Sequence, residues 1–205
     1  MAKKRQDSDP WADAINHLKS KESRLVPLIE KVGPCGLRPK EDHLATLAHS
    51  IIAQQISAKA AQSIFSKVEA AMNSPWKPEE LNRLDDELLE SCGVSPQKRG
   101  YLASLFEHVR SGRLHLTDMR KLDDESVISE LTQVKGIGRW TAEMFLIFAL
   151  NRPDVLPMAD LGIKSGLQRL FELDEHPSAE AGIDLTRHWR PYRSIGSWYL
   201  WRMFD

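Results

Sequence analysis

The chain has 205 residues, enough for one or two compact domains that bury roughly 70% of their unfolded surface. Its 41% hydrophobic and 28% charged residues exclude a disordered polymer, and its two cysteines, Cys35 and Cys92, exclude a disulfide framework. The longest wholly apolar run, "MFLIFAL" from Met144 to Leu150, is far shorter than the about 18 residues of a membrane span, and the net charge of −1 means that any nucleic-acid face is a local patch. The start "MAKKRQDSDP" is charged and lacks the apolar core of a secretory signal, so an intracellular location is expected, with residues 1–9 as a disordered tail.

In chain order, nearly every segment reads as a short helix. From His43 to Met72 apolar residues recur at helical spacing: Leu44, Leu47 and Ile51, then Ala61, Ile64, Phe65, Val68 and Met72. The phase breaks at "QQIS", where Ser57 is placed to cap the following helix, so Gln54, Gln55 and Ile56 lie at a helix–helix joint. Asp85 or Asp86 opens a helix that Gly93 ends, and Ser95–Pro96 opens a longer one that Gly112 ends. "DDESVISELTQV" follows, then the glycine joint "KGIG", then a buried helix from Arg139 to Leu150. "NRPDVLPMAD" is a proline-broken connector into "LGIKSGLQRLF", and Trp189, Tyr192, Trp198, Tyr199 and Trp201 crowd into the last segment. No strand set and no internal repeat is visible; the fold class is all-α.

"TQVKGIG" admits two readings. One is a glycine C-cap joining two helices. The other is a helix–hairpin–helix over about residues 124–150, in which Gly136 and Gly138 let a ligand approach bare backbone. The first-turn amides of the next helix would then form an anion site suited to a DNA phosphate, flanked by Lys135 and Arg139. Asp160, just before "LGIK", is placed as an N-cap, which would also keep its carboxylate ionised and aimed.

The block "LTQVKGIGRWTAEMFLIFA", the proline-containing loop and Asp160, with "ADLGIK" and "HWRPYRSIGSWYLWR", resembles the helix–hairpin–helix (HhH-GPD) DNA glycosylase superfamily. Within it the chain looks closest to the bacterial and yeast 3-methyladenine DNA glycosylase II group, and "LAHSIIAQQISAKAA" extends the likeness from about residue 25 to the end. The resemblance implies one glycosylase unit of two helical lobes with a DNA-binding cleft between them. The lobes are expected at about 43–135 and at about 10–42 plus 139–205. It implies excision of alkylated purines of the 3-methyladenine or 7-methylguanine type from duplex DNA by base flipping.

In that scheme Asp160 is catalytic, and Trp140 and Trp201 wall the base pocket, with Trp198 and Tyr199 as second choices whose other reading is hydrophobic core. Gln55 is the wedge, and Gln54 beside it buttresses the loop or touches the opposite strand. The DNA backbone would meet Lys135, Gly136, Gly138, Arg139, Thr141, Ser57, Lys59 and Lys164. Bifunctional members use a hairpin lysine as nucleophile; Trp140 fills that position here, so no lyase step is expected. The four C-terminal cysteines of iron–sulfur members do not occur, so no cluster is expected. A Na+ or K+ ion on the main-chain carbonyls of Thr132, Val134 and Ile137 fits the family. Double-stranded DNA is the expected partner and a membrane is not; a monomer is expected, cytoplasmic in a bacterium or nuclear in a eukaryote.

Overall fold

Two asparates and a serine set the start of three consecutive helices as their spacing requires. Asp42 accepts the Ala45 N–H at 2.8 Å to open α3 (His43–Ala53), Ser57 accepts the Ala60 N–H at 3.2 Å to open α4 (Ala58–Met72), and Asp85 accepts the Leu88 N–H at 2.8 Å to open α5 (Asp86–Ser91). The protein is described here by a computed structural model covering residues 9–72, 76, 81 and 83–204; the expected tail at 1–9 therefore lies almost wholly outside the described residues. Among these residues the structure is helical throughout, without strands.

The chain divides into two units: a contiguous one, Pro39–Leu150, and one made of the two chain ends, up to Arg38 and from Asn151. The contiguous unit holds α3, α4 and α5, then α6 (Pro96–Arg110), α7 (Asp124–Leu131) and α8 (Arg139–Phe148). Its core follows the helical spacing read from the sequence: Leu44, Leu47, Ile51, Ala61, Phe65, Val68 and Met72 are all buried, while Ile64 is half-buried. Burying each large apolar side chain stabilises the unit by about 1.5–3 kcal/mol. Trp76 stacks on Phe65 with ring centroids 5.5 Å apart, a packing role.

The expected lobe boundary near residue 139 needs correction. Helix α8 packs against α7 and α3 and belongs to the contiguous unit, because Ala142, Phe145 and Leu146 on its inner face are buried there.

The other unit holds α1 (Ala12–Lys21), α2 (Val26–Val32), α9 (Leu161–Phe171), α10 (Ala179–Leu185) and α11 (Arg193–Trp201). Helices α9 and α11 approach closely because α9 presents glycines one turn apart: a Cβ on Gly166 would lie 2.9 Å from Leu200 Cβ. The connector before α9 is fastened to α11. Arg193 Nε and Nη2 donate to Asp154 Oδ1 and Oδ2 at 2.7 and 3.0 Å, and Ser194 Oγ accepts the Val155 N–H at 2.8 Å. The backbone that delivers Asp160 is thus fixed by side chains some forty residues later in the chain.

Candidate functional site

Between α7 and α8 the chain turns on Gly136, whose φ of +91° is open to glycine and costly to other residues. A Cβ there would also fall 2.2 Å from Tyr101 Cγ, so the tyrosine ring lies directly on the bare Cα. Two further contacts brace the turn. Gln54 Nε2 donates to Gly136 O at 2.9 Å, and the Lys135 N–H donates to Ser104 Oγ at 3.1 Å.

Gly138 is different. Its backbone is ordinary extended chain (φ −93°) and a Cβ would meet none of the described residues within 4 Å. It is the N-cap of α8 and has no side chain to offer, so the first-turn amides, at the positive end of the helix, carry no side-chain cap. Nothing among the described residues calls for glycine at this exposed position; a ligand pressed against the backbone would.

Several residues expected around this turn do other work. Arg139 is spent within the protein: Nη1 and Nη2 pair with the Glu125 carboxylate, the first at 3.0 Å, and Nε lies 3.1 Å from Glu143 Oε1. Its charge is largely cancelled, so the expectation of a phosphate contact from its side chain is corrected. Glu143 is buried, and desolvation raises its pKa despite Arg139. The Thr141 side chain is buried too, which removes it from a backbone-binding surface. Lys135, Ser57 and Lys59 are exposed, Ser57 also being the α4 cap, and Lys164 is half-buried on α9.

Helices α3 and α8 line a cavity of about 580 Å³ that reaches from His49 to Phe148 and includes Gln54, Gln55, both hairpin glycines and Trp140. Trp140 is 41% exposed, the least buried of the chain's tryptophans. Met144 and Phe148 continue its line along α8 and are half-buried, although the sequence marks their run as simply buried. Their i, i+4, i+8 spacing was a usable signal: it defines an apolar stripe beyond the one α8 needs for its core. Gln54 buttresses the loop, its amide bracing Gly136 O. Gln55 is exposed and holds φ +57°, an uncommon left-handed conformation for a residue with a side chain.

Asp160 caps α9 as its position predicts. Its Oδ1 accepts two hydrogen bonds, from the Ile163 N–H at 3.0 Å and from the Trp201 indole N–H at 2.9 Å. Gly162 makes this possible, since a Cβ there would come within 3.0 Å of both Asp160 Oδ1 and Trp201 Cδ1. Trp201 is therefore a partner of the carboxylate as well as a half-buried aromatic surface.

Of the two readings open for Trp198 and Tyr199, the structure shows the core one. Tyr199 is wholly buried, donates its hydroxyl to Gly33 O at 2.8 Å, and has its pKa raised by burial. Trp198 is 7% exposed, with Gly36 against its ring, Tyr199 edge-on to it and the Arg202 guanidinium 4.7 Å from its ring centroid. Both are core.

In the contiguous unit, a helical hairpin with an uncapped glycine entry and an aromatic cavity beside it offers the bare amides that suit a polyanion's backbone; in the other unit, a doubly held carboxylate caps α9. The chain belongs to the HhH-GPD superfamily of base excision DNA repair proteins, whose family model matches residues 48–191. Schizosaccharomyces pombe DNA-3-methyladenine glycosylase 1 is 36% identical over 182 residues, spanning 87% of this chain and 80% of the relative. The crystal structure of a DNA-3-methyladenine glycosidase from Bacillus halodurans superposes with a TM-score of 0.81 at 38% identity, covering 98% of this chain and 92% of that one. The 3-methyladenine DNA glycosylase of Schizosaccharomyces pombe in complex with abasic DNA gives a TM-score of 0.82 at 34% identity, covering 93% and 96%.

Proposed function

We propose that this protein is a monofunctional DNA glycosylase that hydrolyses the N-glycosidic bond of alkylated purines in duplex DNA, acting as a monomer in base excision repair. The observation that carries the reading is the Asp160 carboxylate, held through Oδ1 by two N–H groups at 2.9 and 3.0 Å. A 3- or 7-methylated purine is already cationic and leaves without a strong general acid. The sugar left behind is electron-poor, and a fixed carboxylate stabilises it. At ~4 Å and an effective dielectric near 20, a unit pair is worth about 4 kcal/mol, roughly a thousandfold in rate. Asp160 also suits the role of orienting the attacking water.

The hairpin supplies the grip. The exposed amides at Gly138 and the first turn of α8 suit a phosphate, with Lys135, Ser57 and Lys59 adding contacts from exposed positions. The cavity lined by Trp140 takes the extruded base; stacking on an aromatic contributes about 1–3 kcal/mol, against an extrusion cost of a few kcal/mol. Gln55, exposed and held at a positive φ, fills the gap left in the duplex. The hairpin carbonyls of Thr132, Val134 and Ile137 suit a hard monovalent cation. Val134 O accepts the Ile137 N–H at 3.0 Å, which leaves its second lone pair for such an ion. With Trp140 where bifunctional relatives keep a lysine, the lyase step has no nucleophile and the product is an intact abasic strand.

Base release from methylated duplex DNA, compared between wild type and Asp160→Asn, tests this. Release by wild type and its loss in the variant support the reading. DNA binding without release by either would make the chain a non-catalytic binding module, and a borohydride-trapped adduct would make it a lyase using Lys135.

A further inference from the structure

We propose that His49 is the specificity-determining side chain of the α3–α8 cavity: a neutral imidazole that hydrogen-bonds the edge of an extruded alkylpurine and, by its charge state, decides whether a cationic base is admitted. The inference rests on the glycosylase reading and goes beyond it by naming the group that senses the base. Among the described residues lining this cavity His49 is the one titratable side chain; the others are aromatic, aliphatic, thioether, amide, hydroxyl or glycine. It comes from the α3 wall, while Trp140, Met144 and Phe148 come from α8.

The ring is placed by carbon packing. It stands edge-on to Phe65 of α4, with centroids 4.8 Å apart and planes at 87°, and neither ring nitrogen is hydrogen-bonded to another described residue. Both polar atoms of the imidazole are therefore uncommitted. As a neutral ring it offers one donor and one acceptor, which matches the mixed donor and acceptor edge of a purine. As an imidazolium it offers two donors and a positive charge beside a positively charged ligand.

The charge balance around it favours the neutral form. On its other side His49 borders a second depression of about 300 Å³, where Lys40 and Asp42 are the charged groups and α4 contributes Gln62 and Phe65. Helix α8 brings no titratable group to the cavity. Burial, and then the Lys40 charge, hold the imidazole below the ordinary histidine pKa. The sign follows: the neutral ring persists down to a pH beneath the usual histidine range. Protonation then sets two positive charges against each other, so that cationic-base release falls with pH.

The test uses the full-length protein and single-turnover release of 7-methylguanine from methylated duplex DNA, with thermal unfolding as a fold control. His49→Lys makes the charge permanent and is expected to lower kcat/KM about tenfold or more, by like-charge repulsion at low dielectric. His49→Gln keeps hydrogen-bonding capacity without titration; it is expected to reduce activity less than His49→Lys and to move the acid limb of the pH–rate profile to lower pH. An unmoved acid limb in His49→Gln, together with His49→Lys matching it in activity, overturns the assignment. If His49→Lys does not fold, the acid limb of His49→Gln decides alone. Wild type that releases no base would instead refute the glycosylase reading itself.

Discussion

The hairpin of the contiguous unit and the carboxylate of the other unit solve opposite problems at a helix N-terminus. At α8 the chain withholds a capping side chain, so that the amides stay open, and braces the turn from behind with Tyr101, Ser104 and Gln54. At α9 it supplies a capping side chain, and empties the space beside it with Gly162 so that Trp201 can fix the same oxygen. One end presents backbone braced by side chains; the other presents a side chain held by one backbone N–H and one indole N–H. The lesson is that a helix terminus has no fixed chemistry. Whether it binds an anion or positions one depends on the residue at the cap.

That contrast can be broken at either end, and the largest effect is expected at the carboxylate. Asp160→Asn keeps a cap but removes the charge, and should slow base release roughly a thousandfold in single-turnover assays while DNA affinity changes little. A variant as active as wild type would remove the carboxylate from the chemistry. Trp201→Phe keeps the ring and deletes the indole N–H. Losing a hydrogen bond to a charged group, about 1.5–3 kcal/mol, should lower kcat by about tenfold to a hundredfold with KM nearly constant. A change confined to KM would make Trp201 a base-stacking wall only.

At the hairpin, Gly136→Ala combines a positive φ with a collision against the Tyr101 ring. A cost of about 1–3 kcal/mol is expected, read as a lower melting temperature and about tenfold weaker DNA binding by fluorescence anisotropy. Tyr101→Ala in the same chain should restore part of the loss; no recovery would mean that the conformation, not the collision, dominates. The smallest effect is expected at Gln55. Its replacement by alanine should reduce activity a few-fold on a well-paired target and hardly at all on a mispaired one, because only the former must be forced out of the stack. Equal losses on both substrates would end the wedge role.

Much of this architecture could be read in advance because it is written locally. Ser57 and Asp160 announce helix starts by position alone and each caps as expected, while of the pair Asp85 and Asp86 it is Asp85 that caps. The apolar spacing of α3 and α4 gave their buried faces correctly. What stayed hidden depends on residues that meet only after folding. Gln54 reaches a carbonyl 82 residues away, and Trp201 reaches Asp160 across 41. Nothing near Arg139 in sequence reveals that Glu125, 14 positions earlier, will neutralise it. The aromatic tail leaves core and pocket wall both open for a related reason. Trp198, Tyr199 and Trp201 are near neighbours in sequence, but helical geometry turns the first two into the core and leaves the third half-buried beside a carboxylate. His49 is silent in the sequence, because a lone histidine on an apolar helix carries no local signature.

The uneven exposure of the indoles has a practical corollary. Trp11, Trp76, Trp189 and Trp198 are sealed in packed interiors, whereas Trp140 opens to solvent at the cavity and Trp201 is half-covered. Water-facing indoles emit at longer wavelengths, and a flat ring laid over one would quench it. The protein's own near-ultraviolet emission should therefore act as an unlabelled optical gauge of occupancy, letting the arrival of a nucleobase be timed separately from the bond cleavage that follows.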